Sequence, residues 1–160
     1  MKKIVIIMAI IIGVLSLNKS TTIPNESIRF RIIANSNSEV DQNLKKEIIS
    51  NIKEELINSN ATTIEEEREY LKRKLPTFEE KVKSVVEEPF TINYGENYFP
   101  EKEFQGITYQ EGFYESLVIT LGEGKGNNFW CILFPPLCMI EEEEDVEYKS
   151  FIKEALSKFF

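Results

Sequence analysis

The side-chain pattern changes sense at Glu87-Glu88-Pro89, which limits the chain to folds with a helical part and a strand-rich part. Before that point apolar residues recur at helical spacing. Leu44, Ile48, Ile52 and Leu56 follow at intervals of four, with Ile49 beside them. Ile64, Leu71 and Leu75 form a thinner stripe, and Phe78, Val82 and Val85 a third. Each stripe opens on a hydroxyl and an acid three residues apart: Ser38 with Asp41, Thr62 with Glu65 or Thr63 with Glu66, and Thr77 with Glu80. In a capping box the hydroxyl accepts from a free N–H of the first turn and the acid reaches back. Pro76 has no N–H to donate, so it is expected to end or kink the second helix.

Ahead of the helices, Ile28–Ala34 (IRFRIIA) alternates, with Ile28, Phe30 and Ile32 on one face and Arg29 and Arg31 on the other. After Pro89, aromatics and glycines rise. Phe90–Tyr94 is predicted as a short strand. Residues 95–114 are expected to form a long aromatic connection, of a length that suits a functional loop or lid. Leu117, Ile119 and Leu121 alternate in a strand expected at the sheet centre. Gly122–Asn128 (GEGKGNN) would turn it directly into Phe129–Phe134 as a hairpin. Pro135-Pro136 ends that strand, because proline cannot donate to the ladder. The acidic run Glu141–Asp145 leads to a last helix carrying Tyr148, Ile152, Ala155, Leu156 and Phe159. This order predicts an α+β fold, with about four strands in a mainly antiparallel sheet and helices packed on one face.

The first residues have the parts of an export signal: Lys2 and Lys3, then the apolar run Ile4–Leu15, then Val14-Leu15-Ser16 as a peptidase site. Cleavage after Ser16 and retention as an anchor both fit. Residues 17–27 read as a linker and 28–160 as a single domain. Removing residues 1–16 leaves about 144 of the 160 residues, enough for one core. The formal charge moves from -8 to about -10 when Lys2 and Lys3 are lost. Such a surface disfavours nucleic acid and anionic lipid, so contact with a membrane is peripheral at most.

The chain has no histidine, which removes Ser-His-Asp and Cys-His nucleophiles and histidine zinc sites together. Glutamates leave an exported carboxylate-dependent hydrolase open as an alternative to a binding protein. GEGKGNN lacks Walker spacing and stands between two strands, so it reads as a turn and not as a phosphate loop. No cofactor, metal or small-molecule substrate is expected. Cys131 and Cys138 are the two cysteines. They are either a disulfide, which requires Pro135-Pro136 to turn the chain back, or two buried thiols. Phe134–Met139 reads either as a recognition edge or as a loop tucked under the last helix. Arg29 and Arg31 are expected to pair with nearby glutamates.

Three blocks carry a family resemblance: IRFRIIANSNSEVDQNLKKEI at 28–48, YGENYFP at 94–100, and GEGKGNNFWCILFPPLC at 122–138. The last has a glycine-spaced turn, Asn, paired aromatics, Cys, an apolar triplet and Pro-Pro-Leu-Cys in order. The chain from Ile28 to Ile140 resembles the stage II sporulation protein R family. The resemblance implies an intercellular signalling protein and not an enzyme. Such a protein is exported from the forespore into the space between forespore and mother-cell membranes. There it would activate, by protein contact, a membrane-embedded aspartic protease that processes the precursor of sigma E. A secreted protease inhibitor is the alternative of opposite sign. The expected partner-binding residues are Asn35, Ser36, Tyr94, Phe99, Pro100, Trp130, Phe134, Pro135, Pro136 and Leu137, with Cys131 and Cys138 as the candidate disulfide.

Overall fold

The computed structural model describes residues 21–22, 26–104, 107–138 and 157. The expected export signal, the acidic run and all of the expected last helix except Ser157 lie outside the described residues. The elements are β1 (Thr21–Thr22), β2 (Ile28–Ile33), α1 (Glu39–Ile57), α2 (Ile64–Lys83), β3 (Phe90–Phe99), β4 (Lys102–Phe104), β5 (Ile107–Tyr109), β6 (Gly112–Leu121) and β7 (Asn128–Phe134). The fold is α+β. Its main sheet has the order β3-β6-β2-β7, mixed but mostly antiparallel, with β2 and β6 the parallel pair.

Ser38 caps α1 by accepting from the Asp41 N–H at 3.1 Å. The Asp41 carboxylate does not return to Ser38 but turns to Ser36 and Asn35. Thr63 and Glu66 form the full capping box of α2. Two helices stand where three stripes were read, because α2 runs through Pro76 to Lys83. An interior proline costs roughly 3 kcal/mol. Leu71, Phe78 and Val82 on the far and near sides of it are all fully buried in one core, and their burial offsets that cost.

The alternation of β2 sorts its residues between two cores. Ile28, Phe30 and Ile32 join Leu117, Ile119 and Leu121 of β6, Cys131 and Leu133 of β7, and the apolar stripes of both helices. The opposite face gives a second cluster of Phe99, Tyr109, Tyr114, Val118, Trp130, Ile132 and Leu137. Tyr109 belongs to a small second sheet, ordered β1-β5-β4. Part of the expected linker is therefore strand: Thr21 and Thr22 pair in parallel with Ile107 and Thr108.

Two sequence expectations for the strand half are corrected. Residues 95–114 are not one long connection. β3 and β6 extend as a ten-residue antiparallel ribbon from Phe90↔Leu121 to Phe99↔Gly112, with β4 and β5 folding back beyond it. The apolar alternation of Phe90, Ile92 and Tyr94 breaks at Glu96, and that of Leu121, Ile119 and Leu117 at Glu115, so the strands read as shorter than they are. The second correction is that β6 and β7 do not form a hairpin. β2 lies between them, parallel to β6 and antiparallel to β7. Residues 122–127 must therefore span two inter-strand gaps, roughly 10 Å, across the end of β2.

That crossing is close-packed. A Cβ on Gly126 would lie 2.2 Å from the Ser36 carbonyl oxygen, and one on Gly122, at φ +51°, would lie 2.3 Å from Asn35 Oδ1. Gly126→Ala is expected to cost about 1–3 kcal/mol, since a backbone atom cannot turn aside. Lys125→Ala in the same segment should stay within about 0.5 kcal/mol. Urea unfolding of both variants tests the crossing, and equal midpoints would mean that the backbones do not meet there.

Candidate functional site

The segment after β2 and the glycine-rich crossing bind each other through the backbone and through asparagine side chains. The Gly126 N–H donates to Ala34 O at 2.8 Å and the Lys125 N–H to Asn35 O at 3.0 Å. The Glu123 N–H donates to Asn35 Oδ1 at 2.9 Å, and the Asn127 N–H to Asn37 Oδ1 at 2.7 Å. α1 joins the same junction. Gln42 Nε2 donates to Ser36 O, and Lys45 Nζ donates to Asn127 O and Gln42 Oε1. Lys45 is buried, and desolvation lowers its ammonium below the ordinary lysine value. Asp41 accepts from the Ser36 hydroxyl and from Asn35 Nδ2. Asn35 and Ser36 are thus placed as parts of this junction. Gln42 and Lys45 were not anticipated, because they read as the polar side of an amphipathic helix.

The other expected contact residues divide by burial. Trp130, Phe134, Pro135, Leu137 and Phe99 are buried, and only Pro100 and Pro136 are exposed. Tyr94 is half-buried, with its hydroxyl on Glu115 Oε1 at 2.6 Å. The ten residues therefore do not form one surface. Phe134 belongs to the helix-side core, while Trp130, Phe99 and Leu137 belong to the opposite cluster. Trp130 packs edge-on to Phe99 and Tyr109, at centroid distances of 5.2 and 6.2 Å.

After β7 the chain reverses. The Phe134–Pro135 bond is cis, and the Leu137 N–H donates back to Ile132 O at 3.0 Å. This reversal brings Cys138 to Cys131, with Cα atoms 5.0 Å apart, and the two are joined by a disulfide. The straight-strand separation that made the bond doubtful from sequence is removed by the turn.

Arg29 and Arg31 do not pair with glutamates among the described residues. Both enter the aromatic cluster. Arg29 Cζ lies 3.3 Å from the Tyr114 ring centroid and 5.6 Å from that of Phe99, while Arg31 Cζ is 5.6–5.7 Å from Trp130 and Phe99. Arg29 is 1% exposed, and its guanidinium has no hydrogen-bond acceptor among the described residues. Burial lowers both guanidinium groups from their ordinary value, with Tyr114 opposing the shift at Arg29. The ring faces replace a carboxylate as the negative partner, and desolvation strengthens that attraction.

Carboxylates on the helix side behave differently from one another. Glu115 takes a forked pair from Arg68, with Nε and Nη2 within 3.0 Å, and accepts from Tyr94. Burial and the Glu115 carboxylate push the Tyr94 hydroxyl well above the ordinary tyrosine range. Glu67 is buried on α2 with neither oxygen hydrogen-bonded among the described residues. Desolvation raises its carboxyl above the ordinary value, and the nearby Ser59 hydroxyl pulls the other way. Among the described residues no three cysteine or carboxylate side chains gather into a metal-binding group.

The structure defines a disulfide-bearing α+β domain, built on a mixed four-stranded sheet and closed by a glycine-rich crossing over the end of β2. The chain belongs to the stage II sporulation protein R family, which matches residues 24–144. It is 36% identical over 145 residues to Stage II sporulation protein R of Bacillus subtilis (strain 168), covering 81% of this chain. It spans 65% of the length of that relative. No solved structure matches significantly.

Two predictions follow from these groups. A disulfide closing a loop of about eight residues contributes roughly 2–3 kcal/mol in the chain-entropy picture. Cys131→Ala with Cys138→Ala should lower unfolding stability by that amount, and an unchanged urea midpoint would show that the bond constrains nothing. For Glu67, the folded chain holds the proton more tightly than the unfolded chain does. Its contribution to stability therefore declines as pH rises from about 4.5 through the raised value. Glu67→Gln should gain on the native protein at pH 7 relative to pH 4, measured by thermal unfolding. The same difference at both pH values would refute the buried charge.

Proposed function

We propose that this chain is an exported signalling protein of sporulation. On this reading it crosses the forespore membrane into the space between forespore and mother cell. There it activates, by protein–protein contact, a membrane-embedded aspartic protease that processes the precursor of sigma E, the mother-cell sigma factor. The observation that carries the reading is membership of the stage II sporulation protein R family over residues 24–144. Two features support the export step. One is the Lys2-Lys3 and Ile4–Leu15 signal pattern. The other is the Cys131–Cys138 disulfide, a bond that persists in oxidising compartments outside the cytoplasm.

An activator of this kind needs no catalytic group. It has only to bind one state of its receptor more tightly than another, and about 1–3 kcal/mol of such preference changes an equilibrium 5–150-fold. The expected contact residues then have two roles. Pro100 and Pro136 are exposed and can be touched. Trp130, Phe134, Pro135 and Leu137 act by holding the disulfide turn in shape.

The test is reconstitution in a host that does not sporulate, with the protein, the candidate protease and the sigma-factor precursor. Cleavage is expected only when all three are present. Cleavage by the first and third alone would support a hydrolase, reduced cleavage an inhibitor, and either would overturn activation.

A further inference from the structure

The helix-side face of the β3–β6 ribbon continues past the part covered by the helical core. Phe90, Ile92 and Tyr94 pack against that core. By strand alternation Glu96 and Tyr98 follow on the same face. Directly opposite them in register stand Glu115 and Phe113. The Tyr98 and Phe113 rings meet edge-to-face with centroids 5.6 Å apart, yet they are 49% and 71% exposed. Two aromatic rings are therefore held together and left facing solvent.

Next to them lies a cavity of about 410 Å³, bounded by Glu26 and Ser27 ahead of β2, Glu65 and Arg68 of α2, and Glu96 and Glu115 of the ribbon, with Phe113 also on its wall. Four carboxylates face one guanidinium there. Arg68 is committed to Glu115 and Glu65. Glu96 sits directly across from Glu115 on the antiparallel pair, a like-charge arrangement that destabilises a sheet. Neither Glu96 nor Glu26 has an ion-pair partner among the described residues. A second feature points the same way. Ser27 is 1% exposed, lines this cavity, and its hydroxyl has no hydrogen-bond partner among the described residues.

We propose that this cleft receives an arginine side chain from a basic extracytoplasmic segment of the receptor. The planar guanidinium matches what is missing. It can donate to the Glu96 carboxylate at the wall that Ser27 also lines, and stack on the Phe113 and Tyr98 rings. Entry of one cation supplies the charge that Glu96 and Glu26 lack. The identity of the partner rests on the proposed function, whereas the chemistry of the cleft does not.

The experiment has two arms. In the first, the purified protein is titrated with a blocked Gly-Arg-Gly-Arg-Gly peptide, and the aromatic NMR signals of Tyr98 and Phe113 are followed. They should shift with this peptide and not with its Gly-Glu-Gly-Glu-Gly counterpart, and the shifts should vanish in Glu96→Lys. In the second arm, Glu96→Lys with Phe113→Ala is placed in the three-protein reconstitution. Precursor cleavage should fall about tenfold or more, while Val40→Ala, a change at an exposed position on α1, leaves it unchanged. The isosteric Glu96→Gln, expected to lose several-fold, serves if the double variant is misfolded by circular dichroism. Full cleavage by folded variants overturns the inference and leaves the proposed function standing. If the native protein itself gives no cleavage, the proposed function fails, and the peptide arm alone decides the cleft: ring shifts support it and their absence overturns it.

Discussion

The backbone of residues 122–127 lies across the end of β2 and is hydrogen-bonded to Ala34 and Asn35, and the rest of the domain depends on that contact. β6 and β7 follow each other in the chain, and a short glycine-rich turn between such strands would ordinarily make them partners. Here β2 occupies the place between them. Asn35 makes this arrangement cohere, because its main-chain carbonyl takes the Lys125 N–H and its side chain takes the Glu123 N–H. Each bond satisfies a crossing N–H that would otherwise have no ladder partner. The same junction fixes α1, through Gln42, Lys45 and the Asp41–Ser36 contact. Strand order and the entry of the first helix are thus set by one polar knot.

Placing β2 in the middle has a chemical consequence. A strand covered on both faces is usually apolar throughout, yet β2 carries Arg29 and Arg31. They are accommodated because the face they point to is aromatic, with Phe99, Tyr114 and Trp130 at hand. The disulfide turn completes this side, since Leu137 enters the aromatic cluster where the chain reverses and its N–H donates back to Ile132. The motif Phe129–Cys138 is therefore mostly buried, with Pro136 exposed. Two large aromatic rings left open to solvent lie elsewhere, at the far end of the β3–β6 ribbon, where Tyr98 packs on Phe113 and its hydroxyl donates to Glu111.

Much of this was legible in the residues, for local reasons. Helix α1, its Ser38 cap, the Thr63–Glu66 box and the inward face of β2 all express interactions within a few positions of each other. The family resemblance was legible for the same reason, since its motifs are contiguous. Features that depend on distant segments are not legible in this way. Pro76 reads locally as an end or a kink, because the core against which Leu71, Phe78 and Val82 carry α2 through it is supplied by other elements. The 95–114 stretch reads as a loop because its strands are held by each other and not by apolar alternation. The expected contact residues come from three stretches, at 35–36, 94–100 and 130–137, and the fold distributes them among the polar junction, the two cores and the surface.

The sequence alone determined helix α1, the caps of both helices, the inward face of β2, the switch from helix to strand near Pro89 and the absence of histidine, because periodicity, capping and composition are properties of neighbouring residues. The tertiary structure decided which strands pair, where the arginines find their negative partner, whether the cysteines meet, and which aromatic rings remain exposed. Those outcomes depend on contacts between distant residues, as between Asn37 and Asn127, 90 positions apart, and between the still more widely separated Ile28 and Phe134 of the β2–β7 pair. The free energy of such contacts arises only when both segments are in place.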